Sequence, residues 1–249
     1  MSDGFDVRTY AAGLHAGTLL PAHRHGWGQL VFAASGVMRV VTDDATWTIP
    51  PTRAIWVPAG VRHAIAARGE VAMRTLYIDR PRAAPLPVEP CVIAVAPLLR
   101  ELILHVLTVG MLNPDKPHHD RLAGLLIDLI LQARPEDLAL PLPRDPRALR
   151  LAETWRDHPA DARGLSQIAR ESGASLRTLQ RLFPRETGLT LEAWRQKARL
   201  VHAVERLCAG AGVTETALDC GYQSPAAFSE AFSRQFGVSP SRFAPRGLV

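Results

Sequence analysis

The C-terminal part of this chain contains one pattern twice, and this duplication limits the fold more than any other feature. The stretch LSQIARESGASLRTLQRLFPRETGLT (165–190) aligns with VTETALDCGYQSPAAFSEAFSRQFGVS (213–239). The earlier matched positions lie 48 residues apart and the later ones 49, so the second copy has a turn that is one residue longer. The matched pairs are Ala169/Ala217, Gly173/Gly221, Ser175/Ser224, Leu179/Phe228, Phe183/Phe232 and Gly188/Gly237. Both copies are therefore predicted to form the same supersecondary unit.

Each copy predicts a helix, a tight turn and a second helix. Gly173 and Gly221 permit a positive φ in the turn. Ser175 and Ser224 can cap the second helix, and Pro225 suits its first position, where no N–H is needed. Ordinary helical bundles also contain such helix pairs. The duplication and both caps favour the helix-turn-helix instead, whose second helix can enter the major groove of DNA.

The stretch between the copies, TLEAWRQKARLVHAVERLC (190–208), predicts a single long helix. At about 1.5 Å per residue it spans about 27 Å. A helix of that length can hold two DNA-reading units near one turn of DNA apart, which is about 34 Å.

The stretch GYQSPAAFSEAFSRQFGVSPSRF (221–243) is similar to the signature of the AraC/XylS family of bacterial transcription regulators. The shared features are a Gly-aromatic pair followed by Ser, then Phe-Ser, Phe, Phe-Gly and Ser-Pro in that order. The resemblance covers the C-terminal part of the chain. It implies that both helix-turn-helix units bind successive major-groove segments on one face of double-stranded DNA.

The first recognition helix is the better equipped of the two to read bases. The side chains predicted to point away from its buried Leu179/Phe183 face are Arg177, Thr178, Gln180 and Arg181. Arginine can pair with guanine O6 and N7, and glutamine can pair with adenine N6 and N7. Pro184 is expected to kink or end this helix beyond the reading residues.

The second recognition helix departs from the family pattern. Its outward positions are Pro225, Ala226, Ala227 and Glu230, where the family often has Gln, Thr or Arg. Alanines can contact thymine methyl groups and Glu230 can accept from cytosine N4, so we expect less direct readout here. The side chains expected at phosphates are Gln223, Ser229 and Arg234.

The N-terminal region, 1–80, has short β-rich runs instead of helical spacing. These runs are LVFAA, VMRVVT, ATWTIP, AIWVPAG and MRTLYID, and Gly, Pro or Asp-Asp separate them. Close spacing of such runs predicts a small antiparallel barrel or sandwich.

Two further segments connect this barrel to the DNA-binding domain at 147–249. In 81–133, APLLRELILHVLTVG and HHDRLAGLLIDLILQA repeat Leu and Ile at helical intervals. Those helices are expected to pack on the barrel, on each other or on a second copy of the chain, which would make 81–133 a dimerisation segment. The stretch RPEDLALPLPRDP (134–146) contains four prolines and is predicted to be an exposed linker.

A second motif lies in the β-rich region, as His23-x-His25-x3-Gln29-x6-Gly36 and then Pro58-x-Gly60-x2-His63. Together these resemble the two motifs of the cupin barrel, with Gln29 where metal-binding cupins usually have Glu. Residues i and i+2 of a strand share a face, so His23 and His25 are predicted to point inward. The resemblance adds His63 to this cluster and puts Gln29 at its edge. AraC-type regulators commonly carry a cupin-like domain as an effector sensor.

Three imidazoles suit a divalent first-row transition metal ion, which is the candidate cofactor. The alternative is a polar pocket in which His23, His25, Gln29 and His63 hydrogen-bond a small organic effector. A second hypothesis for the whole chain is a metal-dependent cupin enzyme with an appended DNA-binding domain, against which the neutral Gln29 argues. In a third hypothesis the barrel is only a dimerisation platform.

Composition and charge agree with a DNA-binding protein. The net charge is +5 over 249 residues, and residues 145–249 hold 15 Arg and Lys against 11 Asp and Glu. The three cysteines form no CxxC pair, which favours a reducing compartment. Neither a signal peptide nor a long apolar stretch is found, so a cytoplasmic location without membrane contact is expected.

We therefore predict an α+β chain of two domains, an N-terminal antiparallel cupin-like β-barrel with packed helices and a C-terminal all-α double helix-turn-helix. The predicted function is transcriptional regulation without enzymatic activity. The expected partners are double-stranded DNA, a small-molecule or metal effector, a second copy of the chain and RNA polymerase.

Overall fold

The computed structural model describes residues 4–243, and these residues separate into two compact units. The first unit contains residues up to 42 together with 49–138. The second contains 43–48 together with the chain from 139 onward. A short segment of the β-rich region, 43–48, therefore groups with the C-terminal helices.

The strands and helices follow one another in a β-rich half and then a helical half. The strands are β1 (Val7–Leu14), β2 (Leu19–His23), β3 (Gly28–Ser35), β4 (Met38–Val41), β5 (Ala45–Ile49), β6 (Arg53–Val57), β7 (His63–Ala67), β8 (Val71–Ile78), β9 (Cys91–Ala94), β10 (Pro135–Glu136) and β11 (Ala139–Pro141). The helices are α1 (Arg80–Ala83), α2 (Pro97–Val109), α3 (Pro117–Gln132), α4 (Pro146–Asp157), α5 (Leu165–Glu171), α6 (Leu176–Thr187), α7 (Leu191–Cys208), α8 (Val213–Asp219), α9 (Pro225–Phe236) and α10 (Pro240–Phe243). The predicted α+β class with two domains is confirmed.

The first unit is built from antiparallel strands. One sheet has the order β1-β8-β3-β6-β9-β10, and β7 pairs with both β2 and β4. Side chains alternate between the faces of each strand. Leu30 and Phe32 of β3 thus join a hydrophobic core on one face, while Gln29 lies on the opposite face.

Helices α2 and α3 cover the apolar face of this sheet. Ile103 of α2 and Leu126 of α3 are fully buried in the same core as Trp56 and Leu76 of the sheet. The two predicted helices of 81–133 therefore pack on the sheet and on each other.

The boundaries predicted between the barrel and the DNA-binding domain need correction. The segment 81–133 also contains strand β9, which pairs with β6. The stretch 134–146 is not an exposed linker, because Leu138, Leu140 and Leu142 are 0%, 1% and 7% exposed. Strand β10 pairs with β9 and β11 pairs with β5. Pro135 begins β10 and Pro141 ends β11, and these closely spaced prolines gave the sequence the appearance of a linker.

The second unit reproduces the predicted duplication. Helices α5 and α8 both have 7 residues, and α6 and α9 both have 12. The turn in the first copy is 172–175 and that in the second is 220–224, one residue longer. Helix α7 connects the copies, and the Thr190 hydroxyl caps it by accepting from the N–H of Ala193.

Both recognition helices are capped as predicted. Ser175 accepts from the N–H of Thr178 at 3.1 Å, and Ser224 accepts from the N–H of Ala227 at 3.2 Å. Helix α6 does not end at Pro184 but continues to Thr187. The last turn is held together by the Thr187 hydroxyl, which donates to the carbonyl of Phe183 at 2.7 Å.

No helix in the described range, 4–243, has both the length and the apolar character needed to cross a membrane.

Candidate functional site

Strand pairing brings three histidines of the first unit together. His23 on β2 lies directly opposite His63 on β7, and their ring centroids are 4.6 Å apart. The ring of His25 is 5.7 Å from that of His23 and 5.2 Å from that of His63. One nitrogen from each ring lies within 4.8 Å of the others. The structure therefore collects the three imidazoles that the sequence proposed as ligands.

Two turns of the first unit depend on glycine, and the turn at Gly60 lies beside the cluster. Gly60 adopts a φ of 86°, and its N–H donates to the carbonyl of His25 at 2.9 Å, which ties the two histidine-bearing segments together. Gly36 is required for a different reason. A Cβ atom at Gly36 would lie 2.0 Å from the carbonyl oxygen of Glu70, so only glycine fits there.

Gln29 lies between the histidines and not at the edge of the cluster, where it was predicted. Its side-chain oxygen is 3.0 Å from Nε2 of His25 and 2.8 Å from Nε2 of His63. Its nitrogen donates to the Thr75 hydroxyl at 3.0 Å and to the Tyr77 hydroxyl at 3.2 Å. Gln29 is 1% exposed because β3 is an interior strand, paired with β6 on one side and β8 on the other.

In each of the three rings, a contact between Nδ1 and a backbone carbonyl fixes the position of the proton. Nδ1 of His23 lies 2.9 Å from the carbonyl of Pro21, Nδ1 of His25 lies 2.8 Å from that of Trp27, and Nδ1 of His63 lies 3.0 Å from that of Val61. A carbonyl oxygen only accepts, so each Nδ1 carries the proton. A neutral ring of this tautomer has a lone pair on Nε2, which is the arrangement found in metal-binding histidines.

The surroundings of His63 favour its neutral form. Burial lowers the pKa of His63, and the nearby His23 and His25 lower it further, outweighing the Val61 carbonyl, which raises it. In the neutral tautomer with the proton on Nδ1, the Nε2 lone pairs of His25 and His63 face the lone pairs of the Gln29 oxygen at hydrogen-bonding distance. A cation between them satisfies all of these acceptors, and so does a half-turn of the Gln29 amide that points its NH₂ group at both rings.

Sequence reasoning missed Thr75 and Tyr77, which orient Gln29 from β8. Both lie on the inner face of that strand, because Leu76 and Ile78 belong to the core on the opposite face. The alternation in MRTLYID contained this signal, since Thr75 and Tyr77 are two residues apart and share one face of β8. The register of the two strands then brings these side chains to Gln29, because Gln29 pairs directly with Tyr77.

The second unit presents the predicted reading residues on its first recognition helix. Arg177, Gln180 and Arg181 are exposed, and with Thr178 they line one concave surface. The Thr178 hydroxyl also lies 2.9 Å from that of the capping Ser175. The arginines and Gln180 therefore carry most of the hydrogen-bonding capacity of this surface.

The second recognition helix presents a different surface. Gln223, Pro225, Ala226 and Ala227 are exposed, whereas Ser229 is only partly exposed. Glu230 and Arg234 form an ion pair one helical turn apart, with side chains 73% and 74% exposed. This pairing neutralises the charges of α9 and fits the expectation of weaker direct readout.

Comparison with known proteins identifies both parts of the chain. The family model described as a Helix-turn-helix domain matches residues 168–246, and that described as a Cupin domain matches 12–79. The HTH-type transcriptional regulator NimR of Escherichia coli K12 is 33% identical over 236 residues, covering 94% of this chain and 86% of NimR.

Another relative matches only part of the sequence, and a solved structure aligns along most of the chain at low sequence identity. The HTH-type transcriptional activator RhaS of Escherichia coli SE11 is 35% identical over 118 residues, covering 47% of this chain and 42% of RhaS. The crystal structure of ToxT from Vibrio cholerae O395 aligns with 96% of each chain at 10% identity and a TM-score of 0.41, a value too low to compare their sites. The match to NimR along most of both chains, with the duplicated helix-turn-helix and the cupin motifs, shows that this chain belongs to the AraC family of DNA-binding transcriptional regulators.

Proposed function

We propose that this regulator controls transcription in response to a ligand bound in its cupin-like unit, and that His23, His25, His63 and Gln29 hold a divalent first-row transition metal ion there. The observation that carries the proposal is the convergence of three imidazoles whose Nδ1 protons are all held by backbone carbonyls. Metal-binding histidines almost always donate their other ring N–H to a carboxylate, a backbone carbonyl or water.

The spacing of the donor atoms also supports a metal ion. Two ligands bound cis in octahedral geometry, each about 2.1 Å from the ion, lie about 3.0 Å apart. The Gln29 oxygen is 3.0 Å and 2.8 Å from the Nε2 atoms of His25 and His63. A bound ion would supply positive charge that these neutral ligands lack. Because Gln is uncharged, we expect weaker affinity than in a cupin site with Glu.

Metal titration of the full-length protein tests the sensor site. The protein is stripped with EDTA and titrated by calorimetry with zinc, iron, manganese, nickel and copper ions. We expect at least one ion to bind at micromolar concentration, and His25→Ala to abolish that binding. Wild-type protein that binds none of these ions at micromolar concentration would overturn the metal assignment and leave an organic ligand in the pocket.

We assign the site to sensing and not to catalysis. The residue between the histidines is a neutral amide with no basic oxygen of carboxylate strength, and the relatives are named as transcriptional regulators. Oxygen uptake with candidate substrates tests the alternative of a metal-dependent cupin enzyme. Turnover by the metal-loaded protein that His25→Ala removes would favour the enzyme.

We propose that the DNA site is read unequally by the two recognition helices. Arg177, Gln180 and Arg181 would make base contacts, while Gln223, Ser229 and Arg234 would contact phosphates beside the alanines of α9. Selection of DNA sites from a random pool with purified protein tests this. Strong base preference is expected in one half of the site and weak preference in the other.

We also propose that the protein is a homodimer formed through α2 and α3, and that it contacts RNA polymerase when bound at promoters. Leu98 of α2 and Leu125 and Leu131 of α3 support the dimer, since they are 58%, 41% and 48% exposed. Sedimentation of wild type and Leu125→Arg tests it, because a charge in an apolar interface should dissociate the dimer. A monomeric wild type would refute it.

A further inference from the structure

The turn at 158–161 connects α4 to the first helix-turn-helix copy, but it packs against the second copy. Its sequence is HPAD, and the N–H of Asp161 closes the turn by donating to the carbonyl of His158 at 3.1 Å. Pro159 occupies the second position, where its fixed φ suits a β-turn. The Asp161 carboxylate also accepts from the N–H of Arg163 at 3.0 Å. The 158–161 turn is therefore a well-fixed projection from the end of α4.

Two arginines of α7 hold this turn by its carbonyl groups. Nη2 of Arg195 donates to the carbonyl of Asp161, and Nε of Arg199 donates to that of Pro159 at 3.1 Å. The two half-buried side chains lie one helical turn apart, a spacing at which like charges repel each other. Charge-assisted hydrogen bonds to the two carbonyl groups offset this repulsion. The pair of arginines therefore depends on the 158–161 turn being in place.

The other side of the same turn contacts the second helix-turn-helix copy. Gly221 has a φ of 74°, and a Cβ atom there would lie 3.1 Å from Cα of Ala160 and 3.2 Å from Nη2 of Arg199. The next residue, Tyr222, accepts at its hydroxyl from the side-chain nitrogen of Gln196 at 2.7 Å. The turn that precedes α9 is therefore held between the 158–161 turn and α7.

Arg199 has a counterpart in the first copy. Arg150 lies 49 residues earlier, which is the offset that also relates α6 to α9. Its Nη2 donates to the carbonyl of Ser172 at 2.7 Å, and a Cβ atom at Gly173 would lie 3.2 Å from the same nitrogen. Each copy thus places an arginine against its turn glycine, and Arg199 in addition holds a turn of the other copy.

We propose that Arg199 is a positioning residue for DNA binding, because through the 158–161 turn it fixes the second recognition helix, α9, relative to the first, α6. The proposal rests on the phosphate contacts proposed above for α9. A recognition helix that is already in place when its neighbour binds loses little freedom on reaching its own DNA segment. Arg199 therefore increases affinity for a long DNA site through α9 and not through a DNA contact of its own.

The experiment compares two duplexes by fluorescence anisotropy on the full-length protein. The long duplex, about 20 base pairs, carries the selected site, and the short one, about 10 base pairs, carries the half that α6 binds. We expect wild type to bind the long duplex about tenfold or more tightly, because α9 adds phosphate contacts. In Arg199→Gln this ratio should fall about threefold or more, while affinity for the short duplex stays within about twofold of wild type.

Arg150→Gln is the matched control, since it removes the equivalent arginine of the first copy. It should weaken binding to both duplexes by a similar factor and keep their ratio as in wild type. Pro159→Gly keeps both arginines but frees the backbone of the 158–161 turn, so it should lower the ratio as well. It replaces Arg199→Gln if that variant fails to fold. Where wild type prefers the long duplex, an unchanged ratio in Arg199→Gln or Pro159→Gly, or an equal loss on both duplexes, would overturn the proposal.

Hydrogen exchange without DNA separates this proposal from the phosphate contacts of α9. The N–H of Gly221 donates to the carbonyl of Leu218 at 2.8 Å, and that of Tyr222 donates to the carbonyl of Ala217 at 2.9 Å. Both amides should exchange faster in Arg199→Gln than in wild type, and at the wild-type rate in Arg150→Gln. Unchanged exchange in Arg199→Gln defeats the positioning role. Faster exchange in a protein whose wild type binds both duplexes equally defeats the phosphate contacts of α9 alone.

Discussion

The side-chain oxygen of Gln29 lies 2.8 Å from Nε2 of His63, a residue on the other sheet of the first unit. The Nδ1 proton of His63 is already held by the Val61 carbonyl, so Nε2 presents a lone pair to an atom that also only accepts. This contact makes Gln29 a fourth donor atom for a metal ion. In the absence of metal, the same geometry makes Gln29 a bridge between two histidines once its amide turns.

Two substitutions of Gln29 should therefore change the metal affinity in opposite directions. Gln29→Glu supplies a charged ligand and is expected to tighten binding of a divalent ion. Gln29→Leu removes the ligand, weakens binding and leaves buried polar groups unpaired, at a cost of about 1–3 kcal/mol in the free energy of unfolding. Calorimetric titration and urea unfolding measure both effects. Thr75→Val is the control, since it removes one support of Gln29 and keeps every proposed ligand. Equal metal affinity in all three variants would remove Gln29 from the ligand set.

The stability of the metal-free protein should depend on pH through His63. Its pKa in the folded state is lowered, first by burial, whereas an unfolded histidine titrates near 6.5. As the pH falls below about 6.5, the unfolded state gains a proton before the folded state does, so the free energy of unfolding decreases. Urea unfolding between pH 7.5 and pH 5, values chosen to bracket about 6.5, measures this. His63→Gln should show a shallower dependence, and His15→Gln, whose native side chain is 88% exposed, should resemble wild type.

Arg181→Ala should weaken specific DNA binding by about 1–3 kcal/mol and relax the preference at one base pair. The reason is the exposed position of Arg181 on the surface that it shares with Arg177 and Gln180. Fluorescence anisotropy with the selected site and with single-base variants of it measures both effects. Arg185→Ala is the matched control, because Arg185 lies on the same helix and contacts Glu186 at 2.6 Å away from that surface. A site preference in Arg181→Ala identical to that of wild type would contradict the assignment.

The thiol of Cys220 should resist modification in the folded protein. It is 0% exposed, and burial raises its pKa to about 12, with Asp219 contributing. A thiol needs both access and deprotonation to react. In a Cys91→Ser/Cys208→Ser background, a disulfide reagent at pH 8, below the native pKa of about 12, is expected to label Cys220 only when urea unfolds the second unit. Rapid labelling without urea would mean that the turn before α9 opens in the native state.

The stretch 134–146 should be protected, although its composition resembles a linker. The N–H of Leu142 donates to the carbonyl of Asp44 at 2.8 Å, and Leu140 is 1% exposed. We therefore expect slow hydrogen exchange at Leu142 and little cleavage of this stretch by proteases. Val88, which is 88% exposed, marks a stretch that serves as the accessible control. Exchange at Leu142 as fast as at Val88 would restore the interpretation of an exposed linker.

The sequence alone determined the features that depend on local chemistry. The duplication gave two helix pairs of equal length, because a capping serine and a turn glycine specify the same turn wherever they recur. Thr190 likewise caps α7, which starts one residue later at Leu191. The resemblance to the cupin motifs also put His23, His25 and His63 in one candidate site, although β2 ends at His23 and strand alternation therefore does not account for the position of His25.

Tertiary structure decided what depends on which strands become neighbours. The pairing of Gln29 with Tyr77 and Val57 makes β3 an interior strand and moves Gln29 from the edge of the cluster to its centre. The burial of Leu140 follows from the pairing of β11 with β5, which joins residues far apart in the chain. Arg8 and Trp27 likewise meet across separate segments. No local pattern encodes these contacts, because register and strand order are selected by the total burial of apolar surface and the pairing of backbone groups over the whole sheet.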